Sequence, residues 1–80
     1  MTIPAATQAQ LAQHGITATG EVALREALEA HTEAYTLIKL APWAARRWKC
    51  HYRLLIGEAI FDAQSAAEAY AMGLLSLLKS

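Results

Sequence analysis

The chain has 80 residues, a formal net charge of zero and a hydrophobic share of 55%. This length suits one small core, so we expect residues 1–80 to form a single small domain. No apolar run approaches the length of a membrane span, and residues 1–4 have neither the basic region nor the apolar core of a signal peptide. The single cysteine excludes an internal disulfide bond, and we therefore expect a cytoplasmic protein.

The first predicted element is a short helix over residues 5–14, with Thr2 or Ile3 near its start. Gly15 is expected to end this helix, because glycine readily adopts the left-handed conformation of a C-terminal cap. The segment contains few large apolar side chains, so we expect it to attach weakly to the core, with Ile16 fixing the connection that follows.

A second, longer helix is predicted from Gly20 or Glu21 to Leu40. Its apolar positions recur at helical spacing along one face, which comprises Leu24, Leu28, His31, Tyr35 and Ile38. The residue before Pro42 is disfavoured in helical geometry, so the helix is expected to stop immediately before it. Residues 42–46 can form one further turn.

The pattern then changes to the two-residue alternation of a strand, predicted from Trp48 to Ile56. One face is apolar or aromatic and consists of Trp48, Cys50, Tyr52, Leu54 and Ile56. The opposite face is mostly basic and consists of Arg47, Lys49, His51, Arg53 and Leu55. We expect the first face to pack in the core, with Cys50 buried, and the second face to remain outside.

A tight turn is predicted to follow the strand. Gly57 and Glu58 suit a type II′ turn, which favours glycine at its first central position. The expected opposite pairs are Ile56 and Ala59, Leu55 and Ile60, Leu54 and Phe61, and Arg53 and Asp62. A shift by one residue would place Asp62 on the apolar face, so the sequence specifies this register clearly.

The last predicted element is a helix from about Ala66 to Leu78. Ser65 and Glu68 form a Ser-x-x-Glu capping box, which satisfies backbone amides at a helix start. Gly73 disfavours the helix by about 1 kcal/mol relative to alanine. Close backbone packing would explain this glycine, and chance would explain it equally well.

The predicted fold is therefore α+β, in the order short helix, long helix, two-stranded antiparallel hairpin and C-terminal helix (ααββα). A two-stranded sheet alone is marginally stable, so the apolar face of the hairpin is expected to pack on the two long helices. Both edges of such a sheet would be free to pair with a second copy. The high hydrophobic share also implies some exposed apolar surface, which a partner or a second copy could cover.

No catalytic, cofactor or metal motif is present in the sequence. The candidate ligands are His14, His31, Cys50 and His51, and no pair among them has the spacing of a zinc site. Ser65 is accounted for as a helix cap, and the scattered glycines make no phosphate-binding loop. We therefore predict a protein that is not an enzyme and that binds no cofactor or metal.

Positive charge is concentrated in one part of the chain. Arg46, Arg47, Lys49 and Arg53 are four of the seven Lys and Arg residues, and residues 34–57 contain no acidic side chain. The aromatic residues nearby are Trp43, Trp48 and Tyr52. This combination suits binding to nucleic acid or to an acidic protein surface. It is also compatible with a solvated strand face whose aromatic residues belong to the core.

The predicted partner-binding residues combine this basic cluster with a stripe on the last helix. They are Arg46, Arg47, Lys49, His51, Arg53, Met72 and Leu75. Met72 and Leu75 share their stripe with Glu68 and Lys79, so we expect both of them to be exposed.

Residues 48–62 have the sequence WKCHYRLLIGEAIFD, and residues 65–69 have the sequence SAAEA. This strand, glycine turn and Ser-x-x-Glu helix start resemble the hairpin-then-helix units of small phage and prophage accessory proteins. In its small size and single compact domain, the chain is most similar to anti-CRISPR proteins. The resemblance implies a non-enzymatic inhibitor in the cytoplasm of a bacterial host, which binds a protein subunit of an RNA-guided surveillance complex and blocks its access to target DNA.

Three functions remain as hypotheses. The first is a protein-binding inhibitor of this kind, although the chain differs from inhibitors that are acidic mimics of DNA, since it is neutral and carries a basic strand. The second is a small nucleic-acid-binding accessory protein that uses the basic strand face. The third is a homodimeric assembly factor that associates through its surplus apolar surface.

Overall fold

The computed structural model describes residues 3–79, a range in which four helices and one three-stranded antiparallel sheet form a small α+β fold. In chain order the elements are α1 (Ala5–Gln13), α2 (Glu21–His31), β1 (Thr36–Lys39), α3 (Pro42–Trp48), β2 (Tyr52–Ile56), β3 (Ala59–Ala63) and α4 (Ala66–Lys79). The α+β class agrees with the sequence prediction, but the structure adds a third strand that the ααββα order lacks. The expected helix start at Thr2 lies outside the described residues.

The hairpin of β2 and β3 forms as predicted. Its register sets Leu54 opposite Phe61 and Arg53 opposite Asp62. Gly57 has a φ of +58°, and the next residue keeps a negative φ, which is the combination that a type II′ turn requires. The alternation of apolar and polar side chains is therefore sufficient to fix this register.

The predicted single helix from residue 21 to Leu40 is wrong in its second half. Helix α2 ends at His31, and Thr32 is already extended. Strand β1 then pairs antiparallel with β2, so that Leu37 lies opposite Leu54. A hairpin alone would leave the backbone hydrogen-bonding groups along one edge of β2 unpaired, and β1 satisfies them.

A signal for this strand is present in the sequence but is short. Thr36 and Ile38 are β-branched, which favours a strand. Leu37 packs against the core, whereas its neighbours in the strand are exposed. A segment of four residues satisfies a helical pattern and an alternating pattern equally well, so only the pairing with β2 decides between them.

The predicted strand from Trp48 begins too early. Helix α3 starts at Pro42, which suits a first helical turn, and it continues to Trp48. Lys49 follows in the left-handed conformation, and β2 begins only at Tyr52. Trp48 is consequently 49% exposed and does not belong to the apolar strand face, whereas Cys50 is buried as predicted.

Helix α4 is the central element of the hydrophobic core, since α2, the inner face of the sheet and α1 all pack against it. The largest fully buried side chains are Leu11, Leu24, Leu28, Leu54 and Leu74. Because α4 is covered from several directions, Leu75 is buried and Met72 is half-buried against the core. The prediction that these two residues are exposed is therefore wrong.

Gly73 permits a close approach between α4 and β2. A Cβ atom at this position would lie 2.5 Å from Cδ2 of Leu54 and 2.9 Å from Cδ1 of Ile56. The most favourable separation of two non-bonded carbon atoms is about 3.5–4.0 Å. Close packing, rather than chance, explains why a glycine interrupts this helix.

The loop after α1 has the geometry of a Schellman motif. The N–H of Ile16 donates to the carbonyl of Leu11 at 2.9 Å, and the N–H of Gly15 donates to the carbonyl of Ala12 at 3.0 Å. Gly15 has a φ of +81°, so it ends the helix in the predicted manner. Leu11 is fully buried and Ile16 packs on the core, which together attach α1 to the rest of the fold.

Tyr35 connects the start of β1 to α2 and α4. Its hydroxyl donates to Oε2 of Glu29 at 2.6 Å, and its ring meets that of Tyr70 edge-on, with centroids 6.0 Å apart. The hydrogen bond to the Glu29 carboxylate, followed by burial, raises the pKa of Tyr35 to about 12. Burial is also the main cause that raises the pKa of Tyr70.

The predicted capping box forms with one difference. Oγ of Ser65 accepts the backbone N–H of Glu68 at 3.1 Å. The Glu68 carboxylate accepts the backbone N–H of Gln64 at 3.3 Å, whereas the standard box uses the N–H of the capping serine. Two backbone amides at the start of α4 are satisfied in either case.

We expect Gly73→Ala to lower the free energy of unfolding by about 1 kcal/mol, because overpacking typically costs about 1–3 kcal/mol and exceeds the gain in helix propensity. Ser76→Ala is the matched control, since Ser76 is exposed in the same helix. It should be neutral or raise stability by up to about 0.5 kcal/mol. Urea melts measure both variants, and equal stabilisation by the two would contradict a close contact of α4 with β2.

We expect Ser65→Ala to lower the free energy of unfolding by about 1 kcal/mol, as is typical for the loss of a helix cap. Glu68→Ala should cost less, because its hydrogen bond is longer and exposed. The double variant should lose less than the sum, because both residues act at one helix start. Denaturant melts that give strictly additive losses would show that the two residues act separately.

Candidate partner-binding site

An open groove of about 1020 Å³ lies beside α3. Its lining combines four polar or basic side chains with an apolar floor, and comprises Lys39, Leu40, Ala41, Pro42, Ala45, Arg46, Lys49 and His51. The basic residues come from three places in the chain, namely the end of β1, helix α3 and the connection from α3 to β2. We call this surface the basic groove.

Backbone hydrogen bonds fix the connection that forms one wall of the basic groove. The N–H of His51 donates to the carbonyl of Ala63 at 2.9 Å, and the N–H of Leu40 donates to the carbonyl of His51 at 2.8 Å. The side-chain amide of Gln64 donates to the carbonyl of Lys49. The connection is thus held between the end of β1 and the end of β3, which gives the groove a defined shape.

Lys49 has an unusual backbone conformation, with φ of 57° and ψ of 34°. Residues with a side chain occupy this left-handed region at a cost of roughly 1–2 kcal/mol. The conformation ends α3 and lets the chain turn directly towards β2. Such strain often accompanies functional sites, and here it occurs at a residue that lines the basic groove.

Helix α3 is attached through small side chains. Ala44 and Ala45 are buried together with Cys50, and these three residues lie outside the main core cluster. The larger residues of the helix point outwards, because Trp43 is 63% exposed and Trp48 is 49% exposed. This exposure excludes the interpretation in which both tryptophans belong to the core.

Arg53 differs from the other basic residues because its charge is already paired. Its guanidinium donates to both carboxylate oxygens of Asp62, at 2.7 and 3.2 Å, and it lies 5.2 Å from the ring of Trp48. The hydrogen bond between them raises the pKa of Arg53 and lowers the pKa of Asp62. The predicted cross-strand pair is confirmed, and it neutralises the charge of Arg53 within the chain.

The other basic or polar residues of this region lack partners within the described residues. In the range 3–79, the side chains of Lys39, Arg46, Arg47, Lys49 and His51 form no ion pair and no hydrogen bond. All five are exposed. The charges of the two lysines and the two arginines are therefore available to a partner, and residues 34–57 contain no acidic residue that would compete.

The structure thus separates the predicted partner-binding residues into three groups. Arg46, Lys49 and His51 line the basic groove, and Arg47 is exposed on the adjoining α3. Arg53 belongs to the outer face of the sheet, paired with Asp62. Met72 and Leu75 pack in or against the core and do not belong to the site. The single basic strand face expected from the sequence does not exist, because α3 replaces its first half.

Sequence reasoning misses Lys39 as a site residue. Helical periodicity places it in a long helix, whereas the structure places it at the end of β1, opposite Tyr52 and at the rim of the groove. The sequence shows only that Lys39 lies in the segment that contains no acidic residue. Its place beside the other basic residues follows only when β1 is recognised as a strand.

The histidines give no sign of joint chemistry. His14 and His31 are exposed, and Nδ1 of His31 lies 3.0 Å from the carbonyl of Ala27. In the described part of the chain, no group of three or more His, Cys, Asp or Glu side chains is arranged to hold a metal ion.

Between residues 3 and 79, no helix has both the length and the apolar composition to cross a membrane.

Comparison with protein-family models, with curated proteins and with solved structures gives no significant match to this chain.

We expect Lys49→Gly to raise the free energy of unfolding by about 0.5 kcal/mol, because glycine relieves the left-handed strain and loses only part of that gain to backbone entropy. Arg47→Gly is the matched control, since Arg47 lies in the helix and should lose about 1 kcal/mol. Thermal and urea melts test the opposite signs. A loss of stability in both variants would show that Lys49 is not strained.

Proposed function

We propose that this chain is a non-enzymatic protein-binding protein, which holds an acidic surface of a partner with the basic groove and α3. The proposal rests mainly on the exposed side chains of α3. This seven-residue helix carries two exposed tryptophans and two unpaired arginines, of which Arg46 lines the groove. Tryptophan and arginine are the residue types most enriched among those that dominate binding energy at protein interfaces.

The charges of the molecule support an acidic protein partner. Positive charge is concentrated on the groove and α3, whereas Glu21, Glu26 and Glu29 are exposed on α2. The net charge is zero, so the long-range attraction to a polyanion such as DNA is small. A local basic patch on a neutral protein favours complementarity with a matching acidic patch, which fixes orientation and accelerates association.

The form of the groove supports a defined contact rather than a diffuse one. Its lining combines the apolar residues Leu40, Ala41, Pro42 and Ala45 with the basic or polar residues Lys39, Arg46, Lys49 and His51. Protein interfaces likewise combine apolar and polar side chains. The walls are held by backbone hydrogen bonds, so little ordering is required when a partner binds.

The resemblance to anti-CRISPR proteins gives this proposal a biological form. The partner is then a protein subunit of an RNA-guided surveillance complex, and binding blocks access of that complex to target DNA in the cytoplasm of a bacterial host. The small α+β fold and the absence of a cluster of ligating side chains within residues 3–79 are compatible with an inhibitor that acts by occupying a surface.

Nucleic-acid binding is the second candidate, because one observation favours it directly. Trp43 and Trp48 are exposed near unpaired cations, and aromatic rings beside basic residues are the elements of a stacking surface for single strands. We place this candidate second because Arg53, a central member of the expected basic face, is neutralised by Asp62.

The test compares the wild type with a variant that carries Arg46→Gln, Arg47→Gln and Lys49→Gly. All three positions are exposed, so the fold should be retained, which circular dichroism and melts verify. In bacteria with an active RNA-guided complex directed against a phage, the wild type should restore plaque formation. The variant should lose at least about tenfold of this effect, because removal of several interface side chains typically costs more than 1 kcal/mol.

Two controls separate the candidates. Lys79→Gln removes a lysine of α4 that bonds to Gln10 and does not line the groove, so it should retain full inhibition. Gel shifts of duplex and single-stranded probes should show no binding at moderate salt. Tight binding to duplex DNA would favour the second candidate. In that case the slope of log affinity against log salt should be smaller in the variant than in the wild type, by roughly 0.9 for each phosphate that the variant no longer neutralises. Failure to restore plaques with any type of surveillance complex would exclude the inhibitor.

A further inference from the structure

The side of the sheet that faces away from α4 forms a second surface. Strand register places Ile38, Arg53 and Asp62 in one row and Thr36, Leu55 and Ile60 in the next row. We call these six residues the outer sheet face. It does not include any residue of the basic groove.

The outer sheet face carries three apolar side chains, one threonine and one ion pair. Ile60 is 59% exposed and Ile38 is 40% exposed, while Leu55 is half-buried between the neighbouring strands. The cation and the anion neutralise each other in the ion pair of Arg53 and Asp62, and the ring of Trp48 lies 5.2 Å from Arg53 at the edge of the face. A sheet face without net charge does not attract a nucleic acid or an acidic protein over long range.

We infer that the outer sheet face binds a second copy of this chain, and that the two copies pack sheet on sheet around a two-fold axis. The charge pattern of the face favours this arrangement. An axis that runs along the strands, between β2 and β3, sets β2 of one copy over β3 of the other. Leu55 then faces Ile60 of the second copy, and Arg53 faces its Asp62. Both contacts are complementary, and each occurs twice.

The pattern makes self-association specific. Two internal ion pairs, stacked in this orientation, form a four-charge cluster in which every charge has only opposite neighbours. A two-fold axis along β2 itself would place Arg53 over Arg53 and would be repulsive. The charges therefore favour the axis between β2 and β3 over an axis along β2, although apolar contact alone would permit both.

The size of the face sets the strength of the association. Strands of five residues, at about 3.3 Å per residue and about 4.8 Å between strands, give a face of roughly 16 by 14 Å. This is well below the approximately 800 Å² that each partner contributes to a standard interface. The dimer is consequently weak, and its population rises with protein concentration. None of the groove residues belongs to this face, which adjoins α3 where the Trp48 ring lies 5.2 Å from Arg53.

Sedimentation equilibrium over roughly micromolar to millimolar concentrations should show a mass that rises from monomer towards dimer. Ile60→Lys should weaken dimerisation at least about tenfold, because it buries an unpaired charge at the centre of the contact. Val22→Lys is the matched control, since Val22 is 53% exposed on α2, and its dissociation constant should stay within about twofold of the wild type.

A charge exchange tests the orientation. The double variant Arg53→Asp/Asp62→Arg keeps the ion pair within one chain, and two copies of it should dimerise like the wild type. In a mixed dimer, however, Arg53 of the wild type would face the arginine introduced at position 62. Native mass spectrometry of this variant with isotope-labelled wild type should therefore show mixed dimers well below their statistical share.

Three results would overturn the inference. The first is a wild type that stays monomeric at every concentration, whether or not it binds phospholipid vesicles. The second is an equal effect of Ile60→Lys and Val22→Lys on the mass. The third is a statistical share of mixed dimers, which would show that Arg53 and Asp62 do not meet across the interface. None of these results bears on plaque restoration, so the proposed function is tested separately.

Discussion

Strand β2 is the element on which the other contacts depend, because both of its edges and its inner face are occupied. β1 and β3 pair with its two edges, and α4 crosses its inner face. Gly73 allows this crossing to be close, since a Cβ atom there would collide with Leu54 and Ile56. Leu54 is fully buried as a result. A side chain added at this point would force Leu54 and Ile56 to shift in the contact between the sheet and the helix.

The pairing of β1 with β2 also determines the basic groove. It brings Lys39 to the sheet end where the connection after α3 arrives, and Leu40 bonds to His51 there. The chain must turn sharply between α3 and β2, and Lys49 adopts the left-handed conformation to do so. The groove is thus a consequence of sheet formation, and its cations are gathered from segments that are distant in sequence.

The molecule presents two surfaces with different physical character. The basic groove and α3 combine unpaired cations with exposed tryptophans, a composition suited to an acidic partner. The outer sheet face has no net charge because Arg53 and Asp62 pair with each other. If both proposals hold, a weak dimer presents two grooves, and the two copies can bind a repetitive partner with higher avidity than one. The two surfaces meet where the ring of Trp48 lies 5.2 Å from Arg53.

Features that depend on neighbours in the chain follow from the sequence. The register of β2 and β3, the cap at Ser65 and the left-handed end of α1 at Gly15 all follow from local patterns. The structure of residues 32–51 depends on tertiary contacts, and Cys50 is buried beyond the end of α3 and not on the strand face from which its burial was predicted. Strand β1 has only four residues, so its pattern is ambiguous until an unpaired edge of β2 is available. The exposure of Trp48 and the burial of Leu75 were likewise undetermined, because helical and strand periodicities give a residue's face but not what covers that face.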